Sequence, residues 1–96
     1  IRDSNLGASL MIILTAEPQV YVYFGKPDQY PLSAVTLEET EKLYAEGHFP
    51  PGSMGPKIEA VMHFLKEGGR RALITDPENL PGAMEGRGGT HFIGKL

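Results

Sequence analysis

Apolar positions along this chain fall into short unbroken runs and one stretch with helical spacing, separated by polar, proline- and glycine-rich segments. Leu10-Met11-Ile12-Ile13-Leu14 is an unbroken run of strand length, suited to a strand covered on both faces as in parallel sheets. Val20-Tyr21-Val22-Tyr23-Phe24, rich in branched and aromatic residues, predicts a second strand. The short polar turn Ala16–Gln19 between them suggests a hairpin. Gly25 to Pro31, with two prolines, is expected to hold no regular structure. The capping box Thr36-Leu37-Glu38-Glu39 opens a helix with Leu37, Leu43 and Tyr44 on its apolar stripe, and Gly47 stops it.

A second helix is written in Ile58, Val61, Met62 and Leu65, which recur at i, i+3, i+4 and i+7. Pro56 suits its first position, where a missing N–H costs nothing, and Gly68-Gly69 ends it near Glu67. Ala72-Leu73-Ile74-Thr75 reads as a short buried strand, so helix followed by strand suggests a crossover unit. Asp76-Pro77-Glu78-Asn79 begins like a helix that Pro81-Gly82 interrupts within about one turn. Thr90–Ile93 is expected as a closing strand at the sheet, and the polar Ile1–Ser9 as a loop or helix start.

Composition narrows the class. Ninety-six residues with 41% hydrophobic and 22% charged content describe a single soluble globular domain with a modest core. Twelve glycines and eight prolines keep the connections long. A formal charge of −3 with no basic run argues against nucleic acid as partner, and no stretch approaches the ~20 apolar residues of a membrane span. The absence of cysteine removes thiol chemistry and fits a cytoplasmic protein.

Candidate chemistry centres on Gly52-Ser53-Met54-Gly55-Pro56-Lys57. A cation in the first turn of a helix is opposed by the macrodipole, by a few tenths of a kcal/mol. One reading makes Lys57 and the exposed helix-terminal N–H groups a phosphate site; the other makes it a lysine reaching into water from a glycine-rich helix start. His48, His63 and His91 lack helical metal spacing and read as solvated or locally bonded, so no metal ligand is assigned. Glu38, Glu39, Glu41 and Glu46 read as an exposed helix face, Ser53 as a polar residue at the helix start, and Lys26 as a surface residue able to border a site. Tyr21 and Tyr23 alternate with valines, leaving sheet packing and ligand contact both open.

The strings ILTAEPQVYVYFGKPDQ (13–29), EGHFPPGSMGPKIEA (46–60) and EGRGGT (85–90) resemble, in order and spacing, the carboxy-terminal part of carbamate kinases in the amino-acid-kinase superfamily. The resemblance covers roughly residues 10 to 93. It implies a three-layer αβα sandwich fragment, with the chain as the truncated ATP-binding half of a phosphotransferase that moves phosphate between ATP and carbamate. It implies that Lys57 reaches the nucleotide phosphates as the catalytic lysine and that Met54, Thr15 and Tyr21 border the nucleotide. ATP or ADP and Mg²⁺, held mainly through the phosphates, are the implied cofactors.

The departures are informative. The family's Asp-Lys-Asp motif is matched here only by Asp3-Ser4-Asn5, the aspartate of its LTDV segment is Ala16, and the asparagine before FGKP is Tyr23. About ten residues that form a helix before the first strand are absent, as are the amino-terminal glycine-rich loops and the carbamate site. The isolated chain is therefore expected to bind nucleotide without turnover. The alternative is a non-catalytic interaction or dimerisation module whose partner is another copy or an amino-terminal half.

Overall fold

The computed structural model describes residues 10–23 and 25–94. The elements run β1 (Leu10–Leu14), β2 (Val20–Val22), β3 (Tyr30–Leu32), β4 (Ala34–Thr36), α1 (Leu37–Ala45), α2 (Met54–Lys66), β5 (Arg71–Thr75), α3 (Leu80–Met84) and β6 (Thr90–Ile93). A four-stranded sheet has the order β1-β5-β6-β4, and β2 and β3 form a separate ribbon. β1 runs parallel to β5 with Leu10 opposite Arg71 and Leu14 opposite Thr75; β6 is antiparallel to β5 and parallel to β4. Helix α2 thus leads into a strand of the same sheet, the expected crossover.

The expected β1–β2 hairpin does not form. β1 spends its hydrogen bonds on β5, while β2 pairs antiparallel with β3, placing Tyr21 opposite Pro31. Residues 30 and 31, read as irregular, are therefore strand. Pro31 is tolerated because a two-stranded ribbon leaves its outer side free of ladder bonds. β2 also stops at Val22, two residues early, because Tyr23 turns into the left-handed region at φ 55°.

Packing follows the register. Met11 and Ile13 of β1, Ala72 and Ile74 of β5, Phe92 of β6 and Val35 of β4 share one face of the sheet. Against it pack Ile58, Val61 and Leu65, the helical stripe of α2, in a single apolar cluster. Each of these side chains contributes roughly 1.5–3 kcal/mol by burial. Leu37, Leu43 and Tyr44 of α1 adjoin the same cluster, and the Thr36–Glu39 capping box forms as expected. The fully buried residue of α1 is Thr40, whose hydroxyl donates to the Thr36 carbonyl at 2.8 Å.

On the opposite face, α3 lies over β5. A Cβ at Gly89 would meet Leu73, Ala83 and Thr75, a measure of how closely the β6 approach, α3 and β5 converge. The stretch Asp76–Asn79, expected to begin a helix, is a turn instead, and α3 starts at Leu80 and runs through Pro81 and Gly82, which were expected to interrupt it, because proline in the first turn forfeits no helical bond. α3 covers only part of this face. Leu10, Ile12 and Leu14 remain 37%, 40% and 48% exposed, so β1 is covered on one side and not on both.

Helix α2 starts earlier than expected. Met54 is its first residue and Ser53 its cap, which puts Pro56 third, still inside the turn that needs no donor. The Ser53 side chain makes no capping bond. β4 was not anticipated at all, being three residues between a serine and a capping box. Residues 1–9, with the Asp3-Ser4-Asn5 string, and Phe24 lie outside the described residues.

Candidate functional site

The carboxyl end of β1 and the amino end of α2 face each other, and between them lies a cleft of about 370 Å³. Thr15, Tyr21, Met54 and Lys57 all line it, joined by Ala16, Glu17, Gln19, His48, Pro50 and Ser53. Its size falls at the lower end of small-molecule sites, about 300–1,000 Å³.

Each wall has a cause. Thr15 is held at the end of β1 by its N–H, which donates to the Thr75 carbonyl at 2.9 Å. The loop after it is anchored from below: the Thr75 hydroxyl donates to the Pro18 carbonyl at 3.1 Å, and Gln19 Nε2 donates to the carbonyls of Leu32 at 3.2 Å and Gly89 at 3.1 Å. Buried Thr90 then accepts the Val20 N–H at 2.8 Å and donates to the Leu32 carbonyl at 2.6 Å, joining β6 to the ribbon. With Val20 and Val22 fully buried, strand alternation turns Tyr21 the other way, into the cleft.

The α2 wall is set by Pro50, whose carbonyl accepts the Gly55 N–H at 2.8 Å and the Ser53 N–H at 3.2 Å. Those two N–H groups are therefore committed to the chain. The expected cradle of free helix-terminal donors is reduced accordingly, and the positive character of this wall rests on the half-buried Lys57.

Sequence reasoning missed His48, Pro50, Glu17 and Gln19 as cleft residues. His48 sits on the boundary with a second hollow of about 470 Å³, lined also by Tyr23, Lys26, Glu46, Gly47 and Pro50. The Tyr23 N–H reaches His48 Nδ1 at 3.4 Å, and Nε2 lies 3.4 Å from Glu46 Oε1. With Nδ1 accepting, the neutral ring carries its proton on Nε2, toward Glu46. The Tyr23 ring meets the imidazole edge to face at 4.6 Å. The signal for His48 was its place in HFPPGSMGPK, six residues before Met54.

Chemically the cleft offers apolar walls, hydroxyls at Thr15, Tyr21 and Ser53, one ammonium at Lys57 and one carboxylate at Glu17. That suits an anionic ligand with a flat apolar portion. No group of three His, Asp or Glu able to hold a metal ion occurs among the described residues. No helix among them is long and apolar enough to cross a membrane.

Comparison with known proteins agrees with the kinship to carbamate kinases that the motifs suggest. Carbamate kinase of Thermoplasma volcanium is 51% identical over 90 residues, covering 94% of this chain and 30% of that protein. A carbamate-kinase-like protein of Escherichia coli is 46% identical over 89 residues, covering 93% and 28%. Among solved structures, Giardia lamblia carbamate kinase bound to AMP-PNP superposes with a TM-score of 0.86 at 33% identity, over 91% of this chain and 28% of that one. The chain thus spans about 30% of the length of the curated relatives it matches. The model of the amino acid kinase family matches residues 4–76, and with the αβα architecture this places the chain in that family.

Proposed function

We propose that this chain is the nucleotide-binding, carboxy-terminal part of a carbamate-kinase-like phosphotransferase, a single unit that holds ATP or ADP without completing the transfer to carbamate. The observation that carries the reading is convergence: Thr15 and Tyr21 from one segment and Met54 and Lys57 from another, 33 to 42 residues further along, border the same cleft. The kinship with a carbamate kinase captured with AMP-PNP supports it.

Phosphoryl transfer asks little covalent chemistry of a protein, chiefly positioning and neutralisation of spreading charge. Lys57 serves the second purpose by setting its ammonium against the phosphates. Tyr21 and Met54 supply flat and deformable apolar walls for base and sugar, and Thr15 offers a hydroxyl at the mouth. Mg²⁺, when bound, neutralises phosphate charge and is carried mainly by the nucleotide itself. A cysteine-free chain of this family fits the cytoplasm.

Calorimetric titration with Mg·ATP tests the reading. Saturable binding is expected, weakened in Lys57→Ala by about 1–3 kcal/mol if the ammonium meets a phosphate. Absence of binding, or binding indifferent to Lys57, overturns it. Carbamate-dependent ADP formation by the purified chain would overturn the claim of inactivity.

A second reading, a module that associates with another copy or with an amino-terminal half, is favoured by the exposed Leu10, Ile12 and Leu14. A purely monomeric chain in sedimentation at tens of micromolar counts against it.

A further inference from the structure

Gln19 is a cleft residue held in place from several directions. Just before it, the Pro18 carbonyl accepts the Thr75 hydroxyl at 3.1 Å; just after it, the Val20 N–H donates to Thr90 Oγ1 at 2.8 Å. Its backbone is thus tied to β5 and β6. Its carboxamide is tied as well, since Nε2 donates to the Leu32 carbonyl at 3.2 Å and to the Gly89 carbonyl at 3.1 Å. An amide nitrogen carries two hydrogens, so both are spent. Turning the amide over would set Oε1 against two carbonyl oxygens, which fixes which atom points which way.

What Gln19 leaves for a ligand is therefore Oε1, an atom that accepts and cannot donate. No described residue donates to it, and the half-buried side chain lines the cleft of about 370 Å³. The other polar groups of the lining discriminate less. Hydroxyls at Thr15, Tyr21 and Ser53 suit donors and acceptors alike, and the carboxylate of Glu17 is exposed and held by no described residue. Tyr21 follows Gln19 by two residues and borders the same cleft, so a flat wall and a fixed acceptor stand side by side.

We propose that Gln19 Oε1 selects the base of the bound nucleotide by accepting a hydrogen bond from the 6-amino group of adenine; this rests on the nucleotide reading of the cleft. With Lys57 on the α2 wall taking the phosphates, the base falls to the opposite wall, where Tyr21 covers its face and Gln19 meets its edge. Adenine offers an amine at that edge, whereas a 6-oxo purine offers a carbonyl oxygen, which an acceptor repels. A site built around one fixed hydrogen-bonding atom rejects a ligand that leaves that atom unpaired. Pre-organisation strengthens the choice, because Oε1 cannot swing away without breaking both Nε2 bonds.

The test is calorimetric titration with the Mg²⁺ complexes of ATP, of purine riboside triphosphate, which is ATP without its 6-amino group, and of 2′-deoxy-ATP. ATP is expected to bind about tenfold more tightly than purine riboside triphosphate. Gln19→Lys should bring that ratio below about twofold, because an ammonium can still donate to the Leu32 and Gly89 carbonyls but offers no acceptor. Gln19→Leu should do the same without the added charge. If thermal denaturation shows both variants unfolded, N6,N6-dimethyl-ATP, whose amine has no hydrogen to give, decides on the parent chain and should bind no better than purine riboside triphosphate. A ratio that survives the substitutions, with both ligands weakened alike, makes Gln19 a loop anchor only and overturns the proposal. So does a preference for ATP over 2′-deoxy-ATP that vanishes in Gln19→Lys, which would put the acceptor at the sugar. Equal binding of ATP and purine riboside triphosphate, with dependence on Lys57 intact, overturns the base assignment alone; absence of binding by either overturns the nucleotide reading with it.

Discussion

The Gly55 N–H donates to the Pro50 carbonyl at 2.8 Å, and a Cβ on Gly55 would stand at that same 2.8 Å from the oxygen and 3.1 Å from the carbonyl oxygen of Phe49. Both obstacles are backbone and cannot rotate away. Gly55→Ala is therefore expected to destabilise the chain by about 1–3 kcal/mol through overpacking, read from urea denaturation. The same change should widen the Pro50 wall of the cleft and weaken nucleotide binding further than stability alone explains.

Thr90 supports the opposite wall. Replacing it with valine keeps its shape and removes both hydrogen bonds of its hydroxyl. The Leu32 carbonyl retains Gln19 Nε2 as a donor, whereas the Val20 N–H is left buried with nothing to meet. Thr90→Val should cost about 1–3 kcal/mol in denaturant unfolding, the desolvation penalty of one orphaned donor.

Tyr23 occupies a backbone position that asparagine tolerates and branched residues do not, with φ at 55°. Neither Tyr23→Asn nor Tyr23→Val keeps the ring's edge-to-face contact with His48, so the pair isolates backbone preference. The asparagine variant should be more stable than the valine variant by about 1–2 kcal/mol in thermal unfolding.

Lys57 separates function from stability. Removing a cation from the first turns of α2 relieves an unfavourable dipole interaction, so Lys57→Ala should unfold at the same denaturant concentration or be stabilised by a few tenths of a kcal/mol. Loss of nucleotide affinity without loss of stability is the combination expected of a ligand-binding lysine.

Between the helices, the Tyr44 hydroxyl of α1 donates to the Glu59 carboxylate of α2. That bond, then desolvation and the carboxylate's charge, raise the tyrosine pKa above its ordinary value of 10.0. A raised folded pKa means the contribution is complete below the unfolded value and is lost as pH climbs through the folded one. The stability difference between the parent and Glu59→Gln should hold steady from neutral pH to 10.0 and shrink above it, with Tyr44 phenolate absorbance appearing at lower pH in the variant.

Local rules made parts of this molecule readable. Thr36 and Glu39 announce α1 because a capping box satisfies donors within four residues, and the Ile58–Leu65 spacing announces α2 because one face must be buried. Pairing was less legible. Leu10–Leu14 and Val20–Val22 look like partners because they are near in sequence, yet β1 finds β5 some sixty residues on, a choice made by the crossover of α2. Tyr30–Leu32 was hidden by Pro31, whose missing N–H matters only in a strand bonded on both sides. At the cleft, Lys57 stood out because its charge opposes its helix. Glu17, Gln19 and His48 carry no such local conflict, and only the folded chain brings them to the same opening.

Among the described residues β1 pairs on one side only, and it is uncharged, proline-free and branched at its centre. A five-residue segment of that kind is a template on which further strands can add side by side into cross-β assemblies. Handling the chain in isolation therefore favours low concentration and a charged substitution at Ile12, the outward position at the middle of that rim.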